Sequence, residues 1–129
     1  MANSFKTNSY VCDIQHKSKT MHAKTAEFNP DLQELALSAK LLSHPARIAI
    51  IKLLAAQKSC ISGDIANELP LSRATVCQHL QELKNADLIK GEISGLNVNY
   101  CLNVEKWQAI KAQFEGLFAT PIHDFPCNC

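Results

Sequence analysis

No apolar run in this 129-residue sequence approaches the roughly 18 to 20 residues that cross a bilayer. Nor does the N-terminus carry the roughly 7 to 15-residue apolar segment of a signal peptide. Both absences point to a cytoplasmic protein with no membrane partner. A Gly-rich phosphate loop, a nucleophile paired with a base and an open metal triad are missing too, so no catalytic activity is expected. Excess charge of either sign is also lacking, with 13 Lys and Arg against 12 Asp and Glu and a net charge of +1. That is low for a nucleic-acid binder, so the placement of charge matters more than its sum. The length allows one domain with a modest core, plus tails. What the sequence does hold is six cysteines. In a reducing compartment these read as thiols that bind or sense something rather than as a disulfide framework.

The informative stretch is Gly63 to Ala86, GDIANELPLSRATVCQHLQELKNA. A short helix breaks at Leu69-Pro70, a tight turn follows, and a second helix starts at Ser72, whose hydroxyl suits an N-cap. This is the layout of a helix-turn-helix. Val76, Leu80 and Leu83 form an apolar stripe at i, i+4 and i+7, while Thr75, Gln78, His79 and Glu82 are expected on the opposite side. The polar groups near the helix start, Ser72, Arg73, Thr75, Gln78 and His79, suit base edges and phosphates in a major groove. Taken singly, each reads equally as a solvated residue on an amphipathic helix.

The remaining chain frames that element. Residues 1–28 are polar and lysine-bearing and read as a flexible N-terminal arm holding Cys12. Asn29-Pro30-Asp31 starts a helix, with Leu32, Leu35, Ala36, Ala39 and Leu42 on its apolar face. His44-Pro45 starts a second, carrying Ile48, Ile51, Leu54 and Ala55, with His44 as a capping or positioning residue. Both helices are expected to be core, or core and subunit interface. Ser59 to Ser62 reads as a small strand. Leu88 to Ile93 and Val98 to Leu102 flank a turn at Ser94-Gly95 and make a hairpin, the wing. Within it Val98, Tyr100 and Leu102 point inward, while Asn97, Asn99 and Cys101 point outward. Asn103 caps a last helix with Trp107, Ile110, Phe114 and Leu117 on one stripe, and residues 119–129 form a flexible cysteine-containing tail. From Ser59 to Asn103 three basic residues face five acidic ones. Positive charge lies instead at Lys6, Lys17, Lys19, Lys24, Lys40, Arg47, Lys52 and Lys58. Few phosphate contacts per subunit, a shallow salt dependence and a dimer with two half-sites are expected.

With these elements in order, the chain resembles the arsenical-repressor (ArsR) family of winged helix-turn-helix regulators. The resemblance rests on LLSHPARIAIIKLL, SCISGDIANELPLSRATVCQHLQELKNADLIKGEISG and NYCLN, and covers roughly Leu32 to Leu117. It implies a mainly α fold with a small β-wing in a single DNA-binding and dimerisation domain over 29–118, paired as a homodimer through its first and last helices. It further implies repression by binding double-stranded operator DNA, with release when a metal, metalloid or oxidant reaches a sensing site. Carried over by position, Ser72, Arg73, Thr75, Gln78 and His79 match the family's reading helix, with Lys90 and Asn97 in the wing as weaker candidates. His79 either contacts DNA or orders the helix.

The effector follows from residue types. Zinc and nickel sensors of this family place Asp and His on the last helix, and Val104 to Phe118 contains neither. The arsenical sensors carry cysteines near the helix-turn-helix; here Cys60 is present, but Ser62 stands where a second is often found. The parity of the short strand and the second wing strand puts Cys60 and Cys101 on one outer face. Cys127 and Cys129 form a second pair on the tail. The proposed ligands are therefore Cys60, Cys101, Cys127 and Cys129, with trivalent arsenic or antimony, inorganic or methylated, as inducer. Cys12 stands in reserve, and Cys77 reads as a half-buried packing residue. Two rival readings are a thiol-based redox sensor on the same fold and a winged helix used for protein contacts without DNA.

Overall fold

The computed structural model describes residues 24–57, 61–62, 65–94 and 97–124. Four helices and a three-stranded antiparallel sheet follow in the order α1 (Pro30–Leu41), α2 (Pro45–Ala56), β1 (Ile61–Ser62), α3 (Arg73–Asn85), β2 (Ile89–Ser94), β3 (Asn97–Leu102) and α4 (Val104–Phe118). Short 3₁₀ helices at Lys24–Glu27 and Ile65–Glu68 precede α1 and α3. The expected flexible arm is thus already turned from Lys24 onward, and residues 1–23 of it lie outside the described residues.

Each helix begins where a side chain satisfies an orphan backbone donor. Asn29 Oδ1 accepts from the Asp31 N–H at 2.9 Å, and Pro30 and Asp31 complete the first turn of α1. His44 Nδ1 accepts from Ala46 N–H at 3.1 Å, confirming its capping role for α2. Ser72 Oγ accepts from Thr75 N–H at 3.3 Å and Asn103 Oδ1 from Lys106 N–H at 3.4 Å.

The core gathers where α2, α3, the wing and α4 meet. Ile50, Val76, Leu83, Leu88, Ile89 and Ile110 are fully buried within it, each contributing roughly 1.5–3 kcal/mol relative to exposure. The expected inward face of α2 is shifted. Ile51 and Leu54 are buried, but Ile48 and Ala55 are exposed, and Ile50 takes the central place. In a helix this apolar, periodicity does not single out one face. The α1 stripe is only partly core within one chain, with Leu42 packed against the core and Leu35 half-buried. Leu32, Ala36 and Ala39 are exposed, and the buried residue of this helix is Ser38, whose Oγ donates to Gln113 Oε1 of α4 at 2.8 Å.

The sheet order is β1-β3-β2, with Ile61 opposite Tyr100 on one side and Gly91 opposite Tyr100 on the other. Tyr100 is buried, with Val98 and Leu102 packed against the core as the strand parity predicts. A Cβ on Gly91 would stand 3.2 Å from the Tyr100 ring, so the missing side chain admits the ring. Between α3 and β2, Asp87 adopts a positive φ of 59°. Asn103 holds that turn by donating its side-chain amide to the Asp87 carbonyl at 2.8 Å.

Candidate nucleic-acid interface

The fold presents α3 as the candidate reading helix. Its inner face is Val76, Leu80 and Leu83, all buried; its N-terminal turn projects Ser72 and Arg73 into solvent with Thr75 partly exposed, and Gln78 is exposed in the second turn. The Ser72 and Thr75 hydroxyls hydrogen-bond to each other at 2.8 Å, which fixes both at the helix start. Partial positive charge at this end of the helix favours a phosphate, and the amide of Gln78 one turn on suits a base edge. In the wing, Lys90 is exposed on β2. The backbone of Asn97 pairs with Ser94 at the outer end of the hairpin, and its side chain lies outside the described residues.

His79 is placed differently from the sequence expectation. It turns inward, 8% exposed, with its ring 4.1 Å from that of His44 and no hydrogen bond to either ring nitrogen. Helical rotation explains the difference. His79 lies three residues after Val76 and next to Leu80, on the flank of the buried stripe. Burial, followed by the neighbouring His44 and Arg47 charges, lowers its pKa, and Glu82 opposes them. A neutral packing imidazole that orders the helix is the role this geometry supports.

Two charged residues that sequence reasoning assigned otherwise meet beneath α3. Arg47, counted among the dispersed positive charges, has a side chain only 9% exposed and pairs with Glu82 at 2.7 Å. It is a structural cation and not part of a free basic surface. Its signal was present in the sequence, since Arg47 precedes Ile50, Ile51 and Leu54 at the spacing of the buried stripe. Its partner, 35 positions away, had no local mark.

Among the proposed thiol ligands, Cys101 is described. It sits half-buried on β3 opposite Lys90. Cys101 and Cys77 are each disulfide-bonded, so neither is a free thiolate in this structure. Cys77 is half-buried on α3, as expected of its position. Cys12, Cys60, Cys127 and Cys129 lie outside the described residues, and among the described residues no cluster of three His, Cys, Asp or Glu side chains is suited to a metal.

The family model described as bacterial regulatory protein, arsR family, matches residues 44–90, from the cap of α2 into the wing. The cadmium resistance transcriptional regulatory protein CadC of Listeria innocua is 30% identical over 95 residues, spanning 72% of this chain and 80% of that protein. The chain belongs to the ArsR family of bacterial regulators. The HTH-type transcriptional regulator YgaV of Escherichia coli is 24% identical over 93 residues, spanning 72% of this chain and 94% of that protein. Among solved structures, an ArsR-like transcriptional regulator from a Rhodococcus species superposes with a TM-score of 0.57 at 25% identity, over 68% of this chain and 82% of that one. A structure described as a possible transcriptional regulator for arsenical resistance gives 0.54 at 23% identity, over 63% and 83% respectively, a likeness of fold. ArsR-family membership makes this chain a DNA-binding transcriptional regulator and not an enzyme. No described helix is long and apolar enough to cross a membrane.

Proposed function

We propose that this ArsR-family chain is a homodimeric repressor that reads operator DNA with α3 and releases it when a thiophilic metal or metalloid occupies its cysteines. The observation that carries the reading is the exposed, Ser72-capped N-terminal turn of α3 standing on a fully buried opposite face. Ser72, Arg73, Thr75 and Gln78 enter the groove, and Lys90 and Asn97 of the wing lie toward the backbone. Residues 29–118 act as the DNA-binding and dimerisation unit. Apolar side chains left exposed on α1 and α4, among them Leu32, Leu37, Leu117 and Phe118, support pairing through those helices.

In the reduced protein, with the Cys101 disulfide opened, the sensing site consists of Cys60, Cys101, Cys127 and Cys129, chosen because α4 offers no His or Asp for a harder ion. Trivalent arsenic or antimony is the inducer of this reading. Cadmium, named in the description of the CadC relatives, is a second soft ion for the same sulfurs. A redox variant draws support from one observation, that Cys77 and Cys101 each take part in a disulfide. In that reading two thiols lose two electrons and two protons to an oxidant such as a peroxide, which is reduced in turn.

One experiment separates these readings. The protein, reduced and bound to a duplex from its own upstream region, is titrated with arsenite, with cadmium and with peroxide while release is followed by mobility shift. The metalloid reading expects release by arsenite at stoichiometric levels and its loss in the Cys127→Ser, Cys129→Ser double variant, with DNA affinity unchanged. Release by peroxide alone overturns it in favour of the redox reading.

A further inference from the structure

Beneath the reading helix lies a contact that the DNA-reading surface does not account for. Arg47, in the first turn of α2, spreads one guanidinium across three elements. Its Nε donates to the Leu41 carbonyl, its Nη2 to the Lys40 carbonyl at 3.0 Å, and its Nη1 to Glu82 Oε2 at 2.7 Å. The two carbonyls belong to the last turn of α1, where the helix dipole is negative, and that of Lys40 also accepts from the Ser43 N–H and hydroxyl. The carboxylate belongs to the third turn of α3. A planar fork with donors fixed in one plane links these groups only over a narrow range of helix rotation, which a flexible ammonium would not enforce. The His44 and His79 rings, 4.1 Å apart, add a second contact between the start of α2 and the same part of α3.

Glu82 is otherwise out of place. It is 59% exposed on a helix meant to approach a polyanion, in a module with more acidic than basic residues. An acidic side chain there repels phosphates and weakens binding to any duplex. Its retention has a reason if its task is to hold the helix.

We propose that Arg47 and Glu82 are positioning residues for sequence reading: the fork locks the rotation of α3 against the carboxyl end of α1, so that the pair sets operator preference without touching DNA. This rests on the DNA-reading function proposed above. Specificity depends on side chains meeting base edges at fixed angles, whereas non-specific attraction tolerates rotation. Loosening the fork should therefore lower the preference for one sequence over another.

The test compares wild-type protein with Glu82→Gln and Arg47→Lys, measuring dissociation constants for the upstream duplex and for a random duplex of equal length at one salt concentration. Glu82→Gln keeps the shape and removes the charge at an exposed position, so it remains folded even if Arg47→Lys, which takes a donor from the Leu41 carbonyl, does not. Circular dichroism and thermal melts establish that each variant is folded at the assay temperature. The expected result is an approximately tenfold fall in the ratio of specific to random affinity for Glu82→Gln, with random-duplex binding unchanged or tighter. Arg47→Lys, which keeps the charge without the fork, should lose the preference similarly. If Glu82→Gln tightens both duplexes equally and the ratio stands, Glu82 is only a repulsive charge and the inference fails. If the wild-type chain itself shows no preference for the upstream duplex, the DNA-reading proposal falls and carries this one with it.

Discussion

His79 shows what burial does to a residue that composition alone places on a polar face. Its imidazole has no hydrogen-bond partner at either nitrogen, and its lowered pKa follows first from desolvation and then from the charges of His44 and Arg47. The unfolded chain has the ordinary value near 6.5. Between that value and the lowered folded value, the unfolded state binds more protons, so stability falls as pH drops through this window and is unaffected above it. His79→Leu removes the group that must charge. Urea midpoints at pH 7.5 and 5.5 should show a smaller acid-induced loss in the variant than in the wild type. At pH 7.5 the variant should gain up to about 1 kcal/mol, because an unpaired buried polar group is replaced by an apolar one. A marked loss of operator affinity in a stable variant would return His79 to the reading surface. Leu83, with no exposed area, is the opposite case: Leu83→Ala should cost about 2–5 kcal/mol in the same assay.

At the scale of elements, the beginnings of helices were legible because they are local events. Asn29, His44, Ser72 and Asn103 each cap the helix that their sequence context announces, since the donor and acceptor lie two or three residues apart. Removing the Ser72 hydroxyl in Ser72→Ala should cost about 1 kcal/mol in a thermal melt. Strand parity was legible for the same reason: two-residue alternation placed Tyr100 inward with Val98 and Leu102 beside it. The rotation of α2 and the inward turn of His79 were not legible. Both depend on which neighbour a helix meets, and a run such as Ile48, Ile50, Ile51 and Leu54 offers several apolar faces. The grip of Arg47 on Glu82 is more distant still, because 35 residues separate them and only the folded chain brings them together.

For the whole molecule, the sequence indicated the order of elements and the separation of a reading helix from its scaffold, while α1 exposed the limit of reasoning from one chain. Its apolar stripe anticipated burial, yet within one chain Leu32 of that stripe faces solvent, as do Leu37 beside it and Phe118 of α4, the last at 78% exposure. The proposed homodimer would cover these helices. Sedimentation should give a dimer for the wild type, and Leu117→Glu with Phe118→Glu should give a folded monomer with weaker operator binding. Each subunit offers few free cations near α3, since Arg47 is engaged from within. The logarithm of operator affinity should therefore fall gently with the logarithm of salt, with a slope of only a few units per dimer in a titration.

One carboxamide joins the far end of this machinery. Asn103 begins α4 with its oxygen and, with its nitrogen, holds the Asp87 bend where the reading helix gives way to the wing. One side chain thereby fastens the start of the final helix to the bend at the root of the hairpin. Cutting that tie with Asn103→Ala should leave a chain that still folds but is weakened by about 1–2 kcal/mol in a urea titration, since a cap and a turn contact are lost together.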